Sequence, residues 1–562
     1  MCGIFLYKGD NGNASEIVMQ GLKDLEYRGY DSWGIVSLDG EKKLKLQKYV
    51  GKVSESDMKF DKSNLAFGHT RWATHGKVTK ENSHPHISND RRFVIAHNGI
   101  FENYAIYKKK LLNKGVKFYS ETDTEVLVNL IQEEGFKNIF KKIKGGNAFI
   151  VLDTKTEGVF VGRNGSPLYV GKREKELFVS SDRLTIMENA KEIYAVKEGE
   201  LLNLGNLGKI KFQKINKITQ DKNSILDFQH FTLKEIFDQK KVSGDAYTKN
   251  KSLESVFGKN WAKNKSIFAS GCGTAYNAAL VFTKLAEDKG INVKALPANE
   301  SDNLQKILDK KSILFLFSQS GETADSIVFA KQVLKKGGKV YSVLNAEYST
   351  LSQISTKSFY INSGKEVAVA STKAFTSMVF TSLRLLDFKV SKNIFVKLDK
   401  FVNIELISEV KKIVSKYKNL KDIFIIGKGV ESIIALEQAL KIKETSYIHA
   451  EGFAAGELKH GVLALIEKGI LSIVLSGDKS FSKEMDNATQ QIKARHGEVL
   501  GIGWENRDSY DYFVKIPELR GQEYLSYIFV NVVGQILAYE FSIQRGINPD
   551  TPRNLAKSVT VR

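Results

Sequence analysis

The chain has 562 residues, 42% of them hydrophobic, enough for three or four domains with real cores and too much for one small module. Its 84 Lys and Arg outnumber 64 Asp and Glu, but the basic residues are scattered and the longest run is Lys108-Lys109-Lys110, so a solvated surface that draws anionic metabolites is favoured over nucleic-acid binding. No apolar run approaches the roughly 20 residues of a membrane span, no basic leader precedes Cys2-Gly3-Ile4, and two distant cysteines make neither a disulfide framework nor a zinc cluster, so a cytoplasmic protein is expected.

The first chemistry-bearing residue is Cys2. With Met1 removed it would carry both a nucleophilic thiol and, in its α-amine of pKa about 7.7–8.0, the base that activates it. A buried cysteine opening a strand is the plainer alternative. Gly68-His69-Thr70-Arg71-Trp72-Ala73-Thr74-His75-Gly76 adds a guanidinium able to grip a carboxylate in bidentate fashion. Phe93-Val94-Ile95 reads as a strand leading to His97-Asn98-Gly99, where a side-chain amide beside a glycine N–H can stabilise an oxyanion. Ser120-Glu121-Thr122-Asp123 opens a helix and supplies a carboxylate for an ammonium group. Together these describe a site that holds an amino acid by both ends and attacks its side-chain amide, for which glutamine is the fit. His69, His75, His84, His86 and His97 cluster here, but their spacing and lack of a carboxylate partner do not make a metal-ligand set.

Gly145 to Asp182 reads as strands joined by glycine turns, expected to form the second sheet of a domain over 1–214. A linker is expected over 215–244, including an amphipathic stretch at Phe231–Asp238. Beyond it the chain echoes itself. Ile267-Phe268-Ala269-Ser270-Gly271-Cys272-Gly273-Thr274 ahead of a helix recurs as Ile423-Phe424-Ile425-Ile426-Gly427-Lys428-Gly429-Val430, which implies duplicated α/β domains with parallel sheets, over 245–402 and 403–545. Neither copy has the third glycine of a dinucleotide fingerprint.

In the first copy, Ser312–Phe317 reads as a doubly buried strand, and Ser318-Gln319-Ser320-Gly321-Glu322-Thr323 brings hydroxyls and an amide to the start of the next helix. That is either a seat for a phosphate or a polar capped turn. Without a P-loop lysine it does not suit a nucleoside triphosphate. In the second copy Glu437, Lys441 and Glu444 share one helix face, either as a surface salt-bridge ladder or as an acid and base in one site.

Cys2-Gly3-Ile4, Leu25–Ser32, His69–Gly76, His97-Asn98-Gly99 and Glu121-Thr122-Asp123 resemble, in that order, the glutaminase domain of the N-terminal-nucleophile amidotransferases. The Ser318–Thr323 segment and Glu366–Thr376 resemble the sugar-isomerase (SIS) fold, and Gly456–Gly461 with the tail Pro552–Thr560 resemble the isomerase half of the isomerising glutamine–fructose-6-phosphate aminotransferase family. The resemblance implies an α/β multidomain enzyme, with an α+β glutaminase sandwich followed by two SIS domains and a tail over 546–562 closing the sugar site. Its implied substrates are glutamine and fructose-6-phosphate, its product glucosamine-6-phosphate, and its assembly a homodimer without metal or organic cofactor.

The same resemblance assigns roles. Cys2 is the nucleophile and Asn98 and Gly99 form the oxyanion hole, while Arg71, Trp72, Thr74, His75, Gly99 and Asp123 hold glutamine, with Trp72 also the gate of an ammonia path. Thr274, Ser318, Gln319, Ser320, Thr323, Val369, Ser371, Lys441 and Ala556 contact the sugar phosphate. Lys557 forms the Schiff base, Glu444 moves the proton between C1 and C2, and His460 assists ring opening from a second subunit. Ala275, where the family usually has Ser, removes one hydroxyl contact, and Val462 replaces a usual proline. Another amidotransferase would lack the duplicated modules, a sugar-phosphate sensor could dispense with Cys2, Glu444 and Lys557, and a deglycase would lack the glutaminase domain.

Overall fold

The computed structural model describes residues 2–39, 41, 43–56, 62–73, 75–136, 139–208, 210–215 and 228–558. At the N-terminal end an eight-stranded and a five-stranded antiparallel sheet face one another. Strand Gly3–Lys8 lies inside the larger sheet, between Glu176–Ser180 and Ser63–Arg71. Its apolar residues run without a break because both faces are covered: Ile4 and Leu6 point to the inter-sheet core, and Phe5 and Tyr7 to the layer under helix Ala14–Leu25. Strands Phe93–Gly99 and Asn147–Asp153 build the smaller sheet, whose outer face is covered by helix Asp123–Glu134. The result is a four-layer α-β-β-α sandwich.

The strands between 145 and 182 do not form one sheet as expected. Asn147–Asp153 and Gly158–Asn164 join the smaller sheet, whereas Tyr169–Arg173 and Glu176–Ser180 join the larger. The chain crosses layers after Asn164, which an alternation pattern cannot reveal when every strand is buried on both sides.

Two five-stranded parallel sheets follow, and their strands are arranged identically. The first has the spatial order Val293–Pro297, Ser266–Gly271, Ser312–Ser318, Lys339–Leu344, Lys357–Tyr360. The second has His449–Ala454, Asp422–Gly427, Leu471–Ser476, Glu498–Gly503, Tyr512–Lys515. The echo in the sequence is therefore a duplicated doubly wound unit, with ligand positions expected at the carboxyl ends of the strands. One apolar core runs through both copies, joining Phe282 and Phe315 of the first to Ile425 and Phe529 of the second.

Two expectations need correction. Helix Phe231–Thr248 begins in the expected linker, runs four residues past its end at 244, and packs into the isomerase body: Thr232, Glu235, Ile236, Gln239 and Ser243 are buried, and Gln239 Nε2 donates to Gln535 Oε1 at 2.7 Å. Its first N–H groups are capped from far along the chain, since Phe231 N and Thr232 N donate to the Asp550 carboxylate at 2.8 and 2.7 Å. Secondly, the segment Glu523–Gln544 is long and apolar enough to cross a membrane, contrary to the reading of the sequence, yet 94% of an 18-residue stretch of it is buried inside the protein. Its apolarity on all sides is that of a core helix.

The two halves meet through Glu322, beside the hydroxyl-rich loop. Its carboxylate accepts from Tyr169 of the sandwich at 2.9 Å and from the N–H and hydroxyl of Thr350 at 2.7 Å each, and Arg163 in turn donates to the Thr350 hydroxyl.

Candidate active sites

The register that pairs Gly3 with Thr70 sets Cys2 beside the end of strand Ser63–Arg71. There Cys2, Arg71, Trp72, His75, Gly99 and Asp123 line one small pocket, so the structure gathers residues spread over more than a hundred positions. The Cys2 thiol donates to the Trp72 carbonyl at 3.7 Å. Burial pushes this thiol up from its ordinary pKa, against the pull of the Trp72 hydrogen bond and the Arg71 cation.

The Asn98 side chain is 2% exposed, and its Nδ2 has no hydrogen-bond acceptor among the described residues. A buried amide donor without a partner is costly and suits an oxygen that arrives with substrate. Asp123 accepts from Phe101 N at 2.7 Å, which fixes one carboxylate oxygen. The Arg71 guanidinium donates to the carbonyls of His75, Gly76 and Lys77, holding that loop around the pocket. Thr74 lies outside the described residues.

His69, His84, His86 and His97 are structural in their bonding. His97 bridges Thr124 and Asn147 at 2.9 Å each, His69 bonds the His97 carbonyl at 2.9 Å, and the His69 and His84 rings stack 4.0 Å apart. Burial holds His69, His84, His86 and His97 below the ordinary imidazole pKa, which keeps neighbouring rings neutral.

The second centre lies at the carboxyl end of strand Ser312–Ser318. Ser318 Oγ accepts from Gly321 N at 3.0 Å, and Ser320 Oγ accepts from Glu322 N at 3.1 Å. Gly321 has φ +67, and a Cβ there would lie 2.1 Å from Ser349 Oγ, so the turn requires glycine. Thr323 precedes helix Ala324–Lys335 with its hydroxyl unused as a cap, and Gln319 accepts from Asn345 N through its carbonyl at 3.2 Å. Helix and hydroxyls thus converge on one spot, as an anion needs. Thr274, where a phosphate contact is expected, donates to Glu437 Oε1 at 3.0 Å.

Glu437, Lys441 and Glu444 are no surface ladder. Glu437 and Lys441 are buried, and Lys441 Nζ lies 2.5 Å from Glu444 Oε2 and 3.6 Å from Glu437 Oε1. Burial pushes Glu437 up to about 7. Burial alone would lower Lys441, but the Glu444 and Glu437 carboxylates outweigh it and hold the ammonium above its ordinary value. Glu444 retains some exposure, with its side chain 22% accessible.

The tail closes over this region. Lys557 Nζ, on a side chain only 5% exposed, lies 2.5 Å from Glu366 Oε2 and 3.3 Å from Ser371 Oγ, while Ser558 Oγ lies 2.9 Å from Ser320 Oγ. Val369 N donates to the Asp550 carbonyl at 3.1 Å, and Ala556 sits between these anchors next to Lys557. From the sandwich, Tyr30 donates to the Pro552 carbonyl at 3.1 Å; from the second module, Tyr447 accepts from Arg553 N at 2.6 Å with the Arg553 guanidinium 4.4 Å from its ring centre. His460 is exposed at the end of the short helical segment Ala455–His460.

Two carboxyls escaped the sequence analysis. Glu366 holds Lys557 with one oxygen and accepts from Thr372 N and Ala374 N with the other, each at 3.0 Å. Burial would raise it, but the Lys557 charge brings it below the ordinary carboxylate range. Behind it Glu235 is 1% exposed, accepts from Val367 N and Ala368 N with Oε1, and leaves Oε2 without a partner among the described residues. The available signal was the spacing of Thr232, Glu235, Ile236 and Gln239 along one helix face.

Burial and the Glu366 charge push Glu235 up to about 8 from 4.5. The folded chain therefore keeps a proton that the unfolded chain releases above its ordinary carboxyl pKa. Stability from this group is full below about 4.5 and is lost as pH rises through about 8. Glu235→Gln is expected to remove that slope, at most about 1.4 kcal/mol per pH unit. Urea unfolding of both proteins from pH 5 to 8 checks it, and parallel profiles would refute it.

Fold and pockets together define a glutamine amidotransferase joined to a pair of sugar-isomerase modules. A glutamine amidotransferase domain model matches residues 51–234, and a SIS domain model matches residues 261–386 and again 416–510. The chain is 36% identical over 604 residues to the glutamine–fructose-6-phosphate aminotransferase (isomerizing) of Pyrococcus horikoshii and 35% over 609 to that of Thermococcus kodakarensis, with 100% of each chain covered. It belongs to the isomerising glutamine–fructose-6-phosphate aminotransferase family. Among solved structures, the C-terminal domain of the Francisella tularensis glucosamine-fructose-6-phosphate aminotransferase is 25% identical, covering 58% of this chain and 99% of that one at a TM-score of 0.50. Tagatose-6-phosphate ketose/aldose isomerase of Escherichia coli, 21% identical, shares the fold over 58% of this chain and 97% of its own at a TM-score of 0.51.

Proposed function

We propose that this chain transfers the amide nitrogen of glutamine to fructose-6-phosphate and isomerises the product to glucosamine-6-phosphate with release of glutamate, the first step of amino-sugar (UDP-N-acetylglucosamine) synthesis. The observation that carries the reading is the tail: it threads Lys557 to Glu366 and Ser371 while Ser558 meets Ser320, so an amine able to form an imine stands over a seat suited to phosphate.

Cys2, freed of Met1, attacks the glutamine amide carbon, Asn98 Nδ2 and Gly99 N–H stabilise the oxyanion, ammonia leaves, and water cleaves the thioester to glutamate. Arg71, Trp72, Thr74, His75 and Asp123 hold the amino acid. At the other centre Ser318, Gln319, Ser320 and Thr323 take the phosphate, with Thr274, Val369, Ser371, Lys441 and Ala556 around the sugar. Lys557 forms an imine at C2 of the opened ketose, and ammonia displaces it. Glu444 then removes a proton from C1 and returns one at C2, leaving an aldehyde beside an amine. Lys441 tunes that carboxylate. His460, exposed in one chain, acts on ring opening in a homodimer.

The domains are read as 1–214, a short linker, two SIS units meeting near 402, and a tail from 546, in a cytoplasmic enzyme. An internal path gated by Trp72 keeps ammonia from water, where it would be protonated and lost. The test is formation of glucosamine-6-phosphate from glutamine and fructose-6-phosphate. Glutamine hydrolysis without amination of this sugar would leave the first centre standing and refute the acceptor.

A further inference from the structure

The second SIS module repeats the first down to the spacing of its ligand-facing loops. In each, the third strand of the module ends on a serine, Ser318 or Ser476, and the next long helix begins six residues later, at Ala324 or Ser482. In each, a Gly-x-Gly turn ends in a left-handed glycine, Gly273 at φ +54 or Gly429 at φ +63, and a helix starts at the following residue, Thr274 or Val430. The repeat makes Glu431 the counterpart of Ala275, and Gly477 and Asp478 the counterparts of Gln319 and Ser320.

These positions are filled in the second module. Glu431 is 3% exposed, and its carboxyl lies against the backbone N–H groups of Gly477 and Asp478. A Cβ on Gly477 would come within 2.5 Å of Glu431 Oε1, so the glycine leaves the room that the carboxyl takes beside the loop. Glu431 Oε1 has no hydrogen-bond partner among the described residues, and neither has Ser526 Oγ, on a residue 3% exposed that also borders Gly477. Burial and the Asp478 charge push Glu431 up to about 8, so at neutral pH it is mostly a neutral acid where a phosphate would be an anion. Phe481, the counterpart of Thr323, adds an apolar ring against Gly429. At the rim Lys428 pairs with Glu484 at 2.6 Å and Lys479 lies 3.7 Å from the Trp504 ring centre, which leaves cations near the seat.

We infer that the second module retains an anion seat on the Ser476–Phe481 loop whose phosphate position is occupied by the Glu431 side chain, so that the chain holds one sugar phosphate and not two. Shortening that side chain uncovers a second site for a phosphate monoester or inorganic phosphate. The inference rests on the proposed function only for the use of the first module's loop.

The test is calorimetric titration of the full chain with inorganic phosphate and with fructose-6-phosphate, followed by a crystal structure with phosphate. Glu431→Ser is expected to add one phosphate per chain to whatever wild type binds, with density on the Ser476–Phe481 loop and unchanged glutamine-dependent synthesis. Glu431→Gln, which keeps the volume, and Phe481→Thr, which keeps the carboxyl, are expected to add none. No increment with a folded Glu431→Ser protein, a gain with either control, or phosphate already on that loop in wild type would overturn the inference. Wild type binding no phosphate at all would count against the proposed function alone, because the increment is read separately. Glu431→Ala, which also vacates the position, is titrated in parallel and is expected to show the same increment, so that misfolding of one variant does not leave it unread.

Discussion

Lys557→Arg is expected to abolish glucosamine-6-phosphate synthesis, by on the order of 10⁴-fold or more, while glutamine hydrolysis survives. The guanidinium keeps the charge that Glu366 needs but cannot form an imine at neutral pH. Lys557→Ala should be equally inactive and less stable, because it strands the Glu366 carboxylate in a site where its side chain has no exposure, a change that costs about 3–5 kcal/mol for a buried pair. Lys557→Met with Glu366→Gln should recover much of that stability without recovering synthesis. Urea unfolding and the two activities, measured on all four proteins, separate the chemical role from the structural one. Synthesis by the Arg variant at near wild-type rate would rule out imine formation at this residue.

Cys2→Ala is expected to lose glutamine-dependent synthesis by a similar factor and to retain synthesis from added ammonium. The first half follows from the pocket, where Cys2 faces Arg71, Asp123 and Gly99 with the Asn98 amide unpartnered nearby and no other thiol or serine hydroxyl lines the wall among the described residues. The second half follows from the separation of the centres on different sheets, so that removing one sulfur leaves the Lys557, Glu366 and Ser320 contacts in place. Product formation with each nitrogen source is the measurement. Glutamine-dependent activity in Cys2→Ala would remove the nucleophile assignment, and loss of the ammonium reaction would mean that the two centres are not independent.

The residues legible in the sequence are those whose function rests on a short local arrangement. Cys2, Arg71 to Gly76, Asn98-Gly99 and the Ser318 loop carry their donors and turns within a few positions, and the duplicated Gly-x-Gly turns announced two equivalent sheets. Pairings across the chain were not legible. Glu366 and Lys557 are 191 positions apart, and a carboxylate ahead of an apolar run gives no sign that it will hold a lysine from the tail. Helix Phe231–Thr248 starts in a stretch that reads as amphipathic, but nothing local shows that its polar residues Glu235 and Gln239 are buried with partners from other elements. The bond from the Thr274 hydroxyl to Glu437, 163 positions later, was likewise not legible from either residue's surroundings in the sequence. Helix Ser526–Gln544 is apolar all round for the same reason as the doubly covered strands, namely that the protein itself surrounds it.

The anchoring of the tail has a consequence for biosynthesis. Every group that lines the first pocket lies within the first 124 residues, and the strands that frame it are complete by Lys214, whereas Asp550, Lys557 and Ser558 leave the ribosome more than three hundred residues later. At about 5–20 residues per second, that interval lasts on the order of tens of seconds. During it the nascent chain can assemble an ammonia-releasing pocket before it possesses an acceptor site, and helix Phe231–Thr248 must wait uncapped for Asp550. Maturation of this enzyme thus runs from nitrogen donor to nitrogen acceptor, and a ribosome stalled before codon 550 would hold a chain equipped for the first half-reaction alone.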